Sequence, residues 1–104
     1  MDIQLFLTLV AGHYLADYGL QSDFMVKQKE NALKTAMGFH ALMAHAAIQG
    51  LVAGLLSHNF TIGVIVAMTH WLIDLGRGAK GWYGINIDQL LHILVILFAV
   101  IFVA

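Results

Sequence analysis

Four apolar stretches, each near the ~20 residues that a helix needs to cross the hydrocarbon core of a bilayer, take up most of this sequence. They run from Ile3 to Gln21, Ala36 to Leu56, Phe60 to Leu75 and Ile85 to Ala104. A 104-residue chain that is 61% hydrophobic and 11% charged cannot hide such stretches from water, because small domains keep much of their surface exposed. Soluble domains run nearer ~25% charged residues. A mean hydropathy of +0.83 points the same way. The expected fold is all-α: a single domain over residues 1–104, forming an integral membrane four-helix bundle. Met1-Asp2-Ile3-Gln4 lacks the basic region and small-residue cleavage site of a signal peptide, so the first stretch reads as retained.

The same inventory excludes several functions. With no Cys, disulfide scaffolds, thiolate metal sites, c-type haem attachment and cysteine catalysis fall away. A formal net charge of −1 offers no basic surface for nucleic acid. The Gly-rich stretch from Arg77 to Gly84 lacks a P-loop pattern and reads as a flexible link.

All five Lys and Arg residues lie in two loops, Asp23 to Thr35 and Arg77 to Gly84. Ser57-His58-Asn59 forms a tight turn between the second and third stretches, with His58 expected in solvent. The positive-inside rule puts both basic loops in the cytoplasm and both termini on the far side, with Trp82 and Tyr83 suited to the interfacial belt.

An Asp near the centre of a span costs about 2.5–3.5 kcal/mol on insertion scales, and less toward the interface. Even so, Asp17, Asp74 and Asp88 lie within the stretches, with His13, His40, His45, His70 and His92. All fall in the half nearest the basic loops. In the other half the polar residues are Gln4, Thr8, Gln49 and Thr61, a poor lining for an ion route through one chain. His13 with Asp17, His70 with Asp74 and Asp88 with His92 are i, i+4 pairs, so each pair shares one helix face. Imidazole and carboxylate are ligands of zinc and other divalent metals, so three converging pairs suffice for one metal or two. His40 and His45 are five apart, ~140° around a helix, so only one points squarely inward, and periodicity leaves open which.

Residues 13–19, His-Tyr-Leu-Ala-Asp-Tyr-Gly, match residues 70–76, His-Trp-Leu-Ile-Asp-Leu-Gly. Two helical hairpins related by an axis along the membrane normal, a parallel internal repeat, would set these motifs around a shared centre. Tyr14 and Trp71 within them are expected to pack between helices. Small residues recur at helix-packing spacing, at Gly12 with Ala16, at Ala46, Gly50 and Gly54, and at Gly63 with Ala67. They serve bundle packing, or, on the Gly50–Gly54 face, a homodimer.

His13-x-x-x-Asp17-x-x-x-Gln21, Lys29, His40, His70-x-x-x-Asp74 with Lys80, and Asp88-Gln89-x-x-His92 together resemble a family of small multi-pass membrane proteins. That family, from bacteria and phages, is catalogued as a domain of unknown function. It is in turn similar to membrane-bound metal-dependent hydrolases, whose His and Asp residues are proposed metal ligands. The resemblance implies a bacterial inner (cytoplasmic) membrane, and metal ligation by His13, His40, His70, His92, Asp17, Asp74 and Asp88.

The functional expectation is a divalent-metal centre, zinc being the leading ion, in a hydrolase acting at the cytoplasmic interface. Asp17, Asp74 and Asp88 are the catalytic candidates, as general base or as orienters of ligand imidazoles. Gln21, Lys29, Lys80 and Gln89 are the substrate-binding candidates, with Arg77 also able to meet a lipid head-group phosphate. Basic residues at this face otherwise serve topology and lipid contact. The alternatives are a proton or ion pathway and a modulator that binds a membrane partner. A purely structural role is a poor account, because interhelical hydrogen bonds average only ~0.6 kcal/mol.

Overall fold

In the computed structural model, residues 1–104 are described, the side chain of Ala79 apart. Helix α1 (Ile3–Tyr14) runs on through a π-helical turn at Leu15–Gly19, and α2 spans Asp23–Lys29. Helix α3 spans Ala36–Ser57, α4 (Phe60–Asp74) runs on through a second π turn at Leu75–Ala79, and α5 spans Ile85–Phe102. Side-chain oxygens close four helix starts, since Asp2, Ser22, Thr35 and Asn59 accept from the backbone amides of Leu5, Met25, Gly38 and Ile62. His58 ends α3 in the left-handed region, at φ 52°.

Three helices are long and apolar enough to cross a membrane: Ala36–Ser57, Phe60–Gly78 and Ile85–Phe102. The first apolar stretch forms a shorter helix, from Ile3 through Gly19. The polar segment from Asp23 to Thr35 is not all loop, because Ser22 caps α2 within it. Leu7, Leu51, Leu55, Met68, Leu72 and Phe98 are each more than half exposed. Apolar exposure on this scale suits lipid rather than water.

α1 packs against α3 and α5, and α4 packs against the same two helices. Away from the basic loops the interior is apolar, built from Leu9, Ala53, Ile62, Val66, Ile96, Ala99 and Val100. α3 and α4 approach closely through their small residues. A Cβ on Gly50 would stand 2.6 Å from Ala67 Cβ and 2.7 Å from the Gly63 carbonyl oxygen. At Gly50 the small-residue face thus meets α4 of the same chain. Gly50→Leu is expected to force these backbones apart at a cost of about 1–3 kcal/mol, read as a lower Tm in detergent. An unchanged Tm would show that the two helices can part freely.

Candidate metal centre

The ends of α1 and α4, the middle of α3 and the start of α5 bring their polar side chains together. α1 and its π turn supply His13 and Asp17, α3 supplies His45 and Gln49, α4 supplies His70 and Asp74, and α5 supplies Asp88, Gln89 and His92. From α2, Lys29 reaches in as well. His13, Lys29, His45, Gln49, His70, Asp74, Asp88 and His92 are all buried.

Most of these groups satisfy one another. Asp17 Oδ1 accepts from His45 Nε2 at 2.9 Å and from Gln49 Nε2 at 3.3 Å, while its Oδ2 accepts from Gln89 Nε2 at 2.8 Å. Gln49 Nε2 also donates to the His13 carbonyl, at 3.2 Å. Asp74 Oδ2 accepts from Lys29 Nζ at 2.9 Å, and Oδ1 accepts from His92 Nε2 at 3.1 Å. Gln89 Nε2 faces two carboxylates, being also 3.1 Å from Asp88 Oδ2. That orientation turns its Oε1 to His13, whose Nε2 must therefore donate across the 2.9 Å contact.

His70 is the exception. It is 1% exposed, yet neither ring nitrogen has a hydrogen-bond partner. Nε2 lies 3.7 Å from Asp17 Oδ1 and Nδ1 lies 3.4 Å from Asp74 Oδ2. The ring stacks on His92 with centroids 3.9 Å apart. Asp88 Oδ1 is likewise buried without a hydrogen bond, and the nearest cation is Arg77, with Nε 3.5 Å away. Leaving a buried polar atom unpaired costs about 1–3 kcal/mol, so two such groups in one cluster ask for a ligand.

Ligand separations fit a small cation. Tetrahedral zinc with bonds of ~2.0–2.1 Å sets its ligands about 3.4 Å apart. Three sets place their ligand atoms within 4.8 Å of one another: His13, His70 and His92; Asp17, His45 and His70; Asp74, Asp88 and His92.

Of the residues singled out from sequence, His13, Asp17, Lys29, His70, Asp74, Asp88, Gln89 and His92 meet here. His40 does not: it is exposed, its ring edge-on to Phe39, because the ~140° between it and His45 turns one outward when the other faces in. His45 takes the inward place. Gln21 donates to the Asp17 carbonyl at 3.2 Å, bracing the π turn rather than reaching the cluster. Lys80 is exposed, its Nζ 5.9 Å from the Trp82 ring centroid. Tyr14 is 40% exposed and stacked on Tyr18 instead of packing between helices. Gln49, read from sequence as part of the far half, belongs to this centre. Its signal was present, since His45-x-x-x-Gln49 is a further i, i+4 polar pair.

Both π turns end helices that carry the repeated motif, and π bulges commonly accompany functional sites. At the second, the Tyr83 hydroxyl donates to the Ile73 carbonyl, and only a glycine at 76 leaves it room. Burial, helped by the carboxylates of Asp88 and Asp74, holds the Tyr83 hydroxyl above its usual pKa. Its contribution to stability is therefore complete below pH ~10 and lost as pH rises through the raised value. Tyr83→Phe is expected to cost about 1 kcal/mol at neutral pH and to remove that alkaline loss from the profile of Tm against pH.

Fold and site together define a helical protein with membrane-spanning capacity and a buried His/Asp centre at one end. The chain belongs to the family described as Protein of unknown function (DUF3307), which matches residues 5–104. No curated protein and no solved structure matches it.

Proposed function

We propose that the protein is a four-span membrane protein whose His/Asp centre binds a divalent metal, zinc foremost, and serves a metal-dependent hydrolase reaction at the membrane interface. The observation that carries this reading is His70, wholly buried between two carboxylates with both ring nitrogens unpaired. Charge supports it. Asp74 is paired with Lys29 and Asp88 faces Arg77, whereas Asp17 meets imidazoles and amides instead of a Lys or Arg.

A divalent ion held there supplies Lewis acidity near neutral pH. The chain's own groups do the rest. A carboxylate not engaged with the ion takes up a proton or orients a ligand imidazole through its second nitrogen. Beside Asp74 lies a cavity of about 90 Å³ lined by Val26, Lys29, Glu30, Arg77 and Gly78. It opens the centre toward the basic end, where the part-exposed Arg77 is the cation able to meet the phosphate of a lipid head group. The apolar packing of the other half favours this reading over conduction through one chain.

Elemental analysis of detergent-purified protein tests the proposal. Stoichiometric metal is expected in the wild type and a lower metal content in both His70→Ala and His92→Ala. A wild type that takes up no zinc when folded would overturn it. Orientation is tested separately, because a chain without Cys accepts unique labels. Lys34→Cys should react with an impermeant maleimide only from the cytoplasmic side, and His58→Cys only from the other.

A further inference from the structure

We infer that the centre is built for two divalent cations side by side, one held by Asp17, His45 and His70 and the other by Asp74, Asp88 and His92. The inference rests on the metal-binding reading above and gives that site its nuclearity. These two sets share no residue, and each brings its ligand atoms within 4.8 Å of one another. Each offers three protein ligands, the number that leaves a coordination position open for chemistry.

Each set holds an unpaired atom of its own, and the other unpaired nitrogen of His70, Nδ1, faces Asp74 across the boundary between them. His70 Nε2 belongs to the first and Asp88 Oδ1 to the second, each in a side chain 1% exposed. An ion on one set satisfies its own orphan and leaves the other as it was. Arg77 faces Asp88 but does not satisfy it, since its Nε at 3.5 Å is also without a hydrogen bond.

The sets also abut. Asp74 Oδ1 lies 3.1 Å from His92 in its own set, while Oδ2 stands 3.4 Å from His70 Nδ1 and 3.6 Å from His45 Nε2 in the other. One carboxylate thus lies between the two sets, its Oδ2 also accepting from Lys29 Nζ at 2.9 Å, and sets that abut so closely suit the ~3.5–4 Å ion spacing of two-metal sites. The repeat supplies the plan. Asp17 accepts from His45 at 2.9 Å and Asp74 from His92 at 3.1 Å, each a motif carboxylate paired with an imidazole from the next long helix. The third ligands differ because His13, the counterpart of His70, is held by Gln89, and Asp88 takes its place. Lys29 and Arg77 already offset part of the negative charge, so the second ion is expected to bind more weakly than the first.

Loading with manganese tests this. The full chain in detergent, with the exposed His40 and His58 replaced by Ala to remove surface ligands, is saturated with Mn²⁺ and examined by elemental analysis and electron paramagnetic resonance. Two ions per chain with the spectrum of a spin-coupled pair are expected. Asp88→Asn and His45→Gln should each retain one ion and the six-line spectrum of isolated Mn²⁺. One ion at saturation, uncoupled in the parent, would overturn the pair and leave the metal-binding reading standing. No ion would overturn both. Two uncoupled ions, indifferent to Asp88→Asn, would put the second on the surface and also overturn the pair. The coupled spectrum is read on the parent, so the test survives a variant that fails to fold.

Discussion

His70→Leu protein is expected to fold in detergent at least as stably as the wild type while binding no metal at the first set of ligands. His70 makes no hydrogen bond, so its removal breaks none. Leucine would relieve two unmade bonds, each costing about 1–3 kcal/mol when a polar atom is buried alone. Repacking around a side chain of similar bulk costs less than about 1.5 kcal/mol. The net shift in Tm is therefore zero or upward. His92→Leu is the contrast, because it strips a 3.1 Å hydrogen bond from Asp74 and should lower stability by about 1–3 kcal/mol. Thermal unfolding and metal content measured on the same samples separate the two effects. If His70→Leu were as damaging as His92→Leu, His70 would be a structural tie, and the metal reading would lose its main support.

The second large effect belongs to Lys29 and Asp74, an ion pair at 2.9 Å with both side chains at most 5% exposed. Removing one partner of a buried pair strands the other's charge, at about 3–5 kcal/mol, whereas replacing both with apolar groups is often neutral. Asp74→Leu should accordingly lower the unfolding midpoint sharply, and adding Lys29→Met should restore most of the loss. In the single variant α2 should also leave the body of the protein and become open to proteases, since Lys29 is what ties it to the centre. A double variant no better than the single would place the damage at His92, His70 and His45, the other neighbours of this carboxylate.

The layer of polar groups was legible because it obeys a period. The pairs His13/Asp17, His70/Asp74 and Asp88/His92 lie on inward faces, and a lipid-facing Asp is too costly to be an accident. The identity of the inward histidine of α3 was not legible from that period alone, although Gln49, one turn beyond His45, carries it. Lys29 was named from sequence only as a head-group contact, and its pairing with Asp74 inside the centre was not legible. Its place depends on α2 folding back from a polar segment onto α3 and the π turn that follows α4, a tertiary event that loop composition does not encode. The two π turns were also invisible, because nothing in Leu15–Gly19 or Leu75–Ala79 distinguishes a five-residue return from a four-residue one. His70 shows the same limit: spacing nominates it, but only packing reveals that it lacks partners.

The link between α3 and α4 has a consequence for biogenesis. The helices are joined through His58 and Asn59 alone, and Gly50 and Gly63 bring their backbones into contact. A helix leaving the insertion machinery by itself would show lipid His45 and Gln49, or His70 and Asp74. Released as one hairpin, the pair can turn those groups toward each other before lipid surrounds them. So short a link leaves no time or length of chain for the first helix to settle alone, and the burden of carrying charge into the bilayer falls on a unit already half assembled.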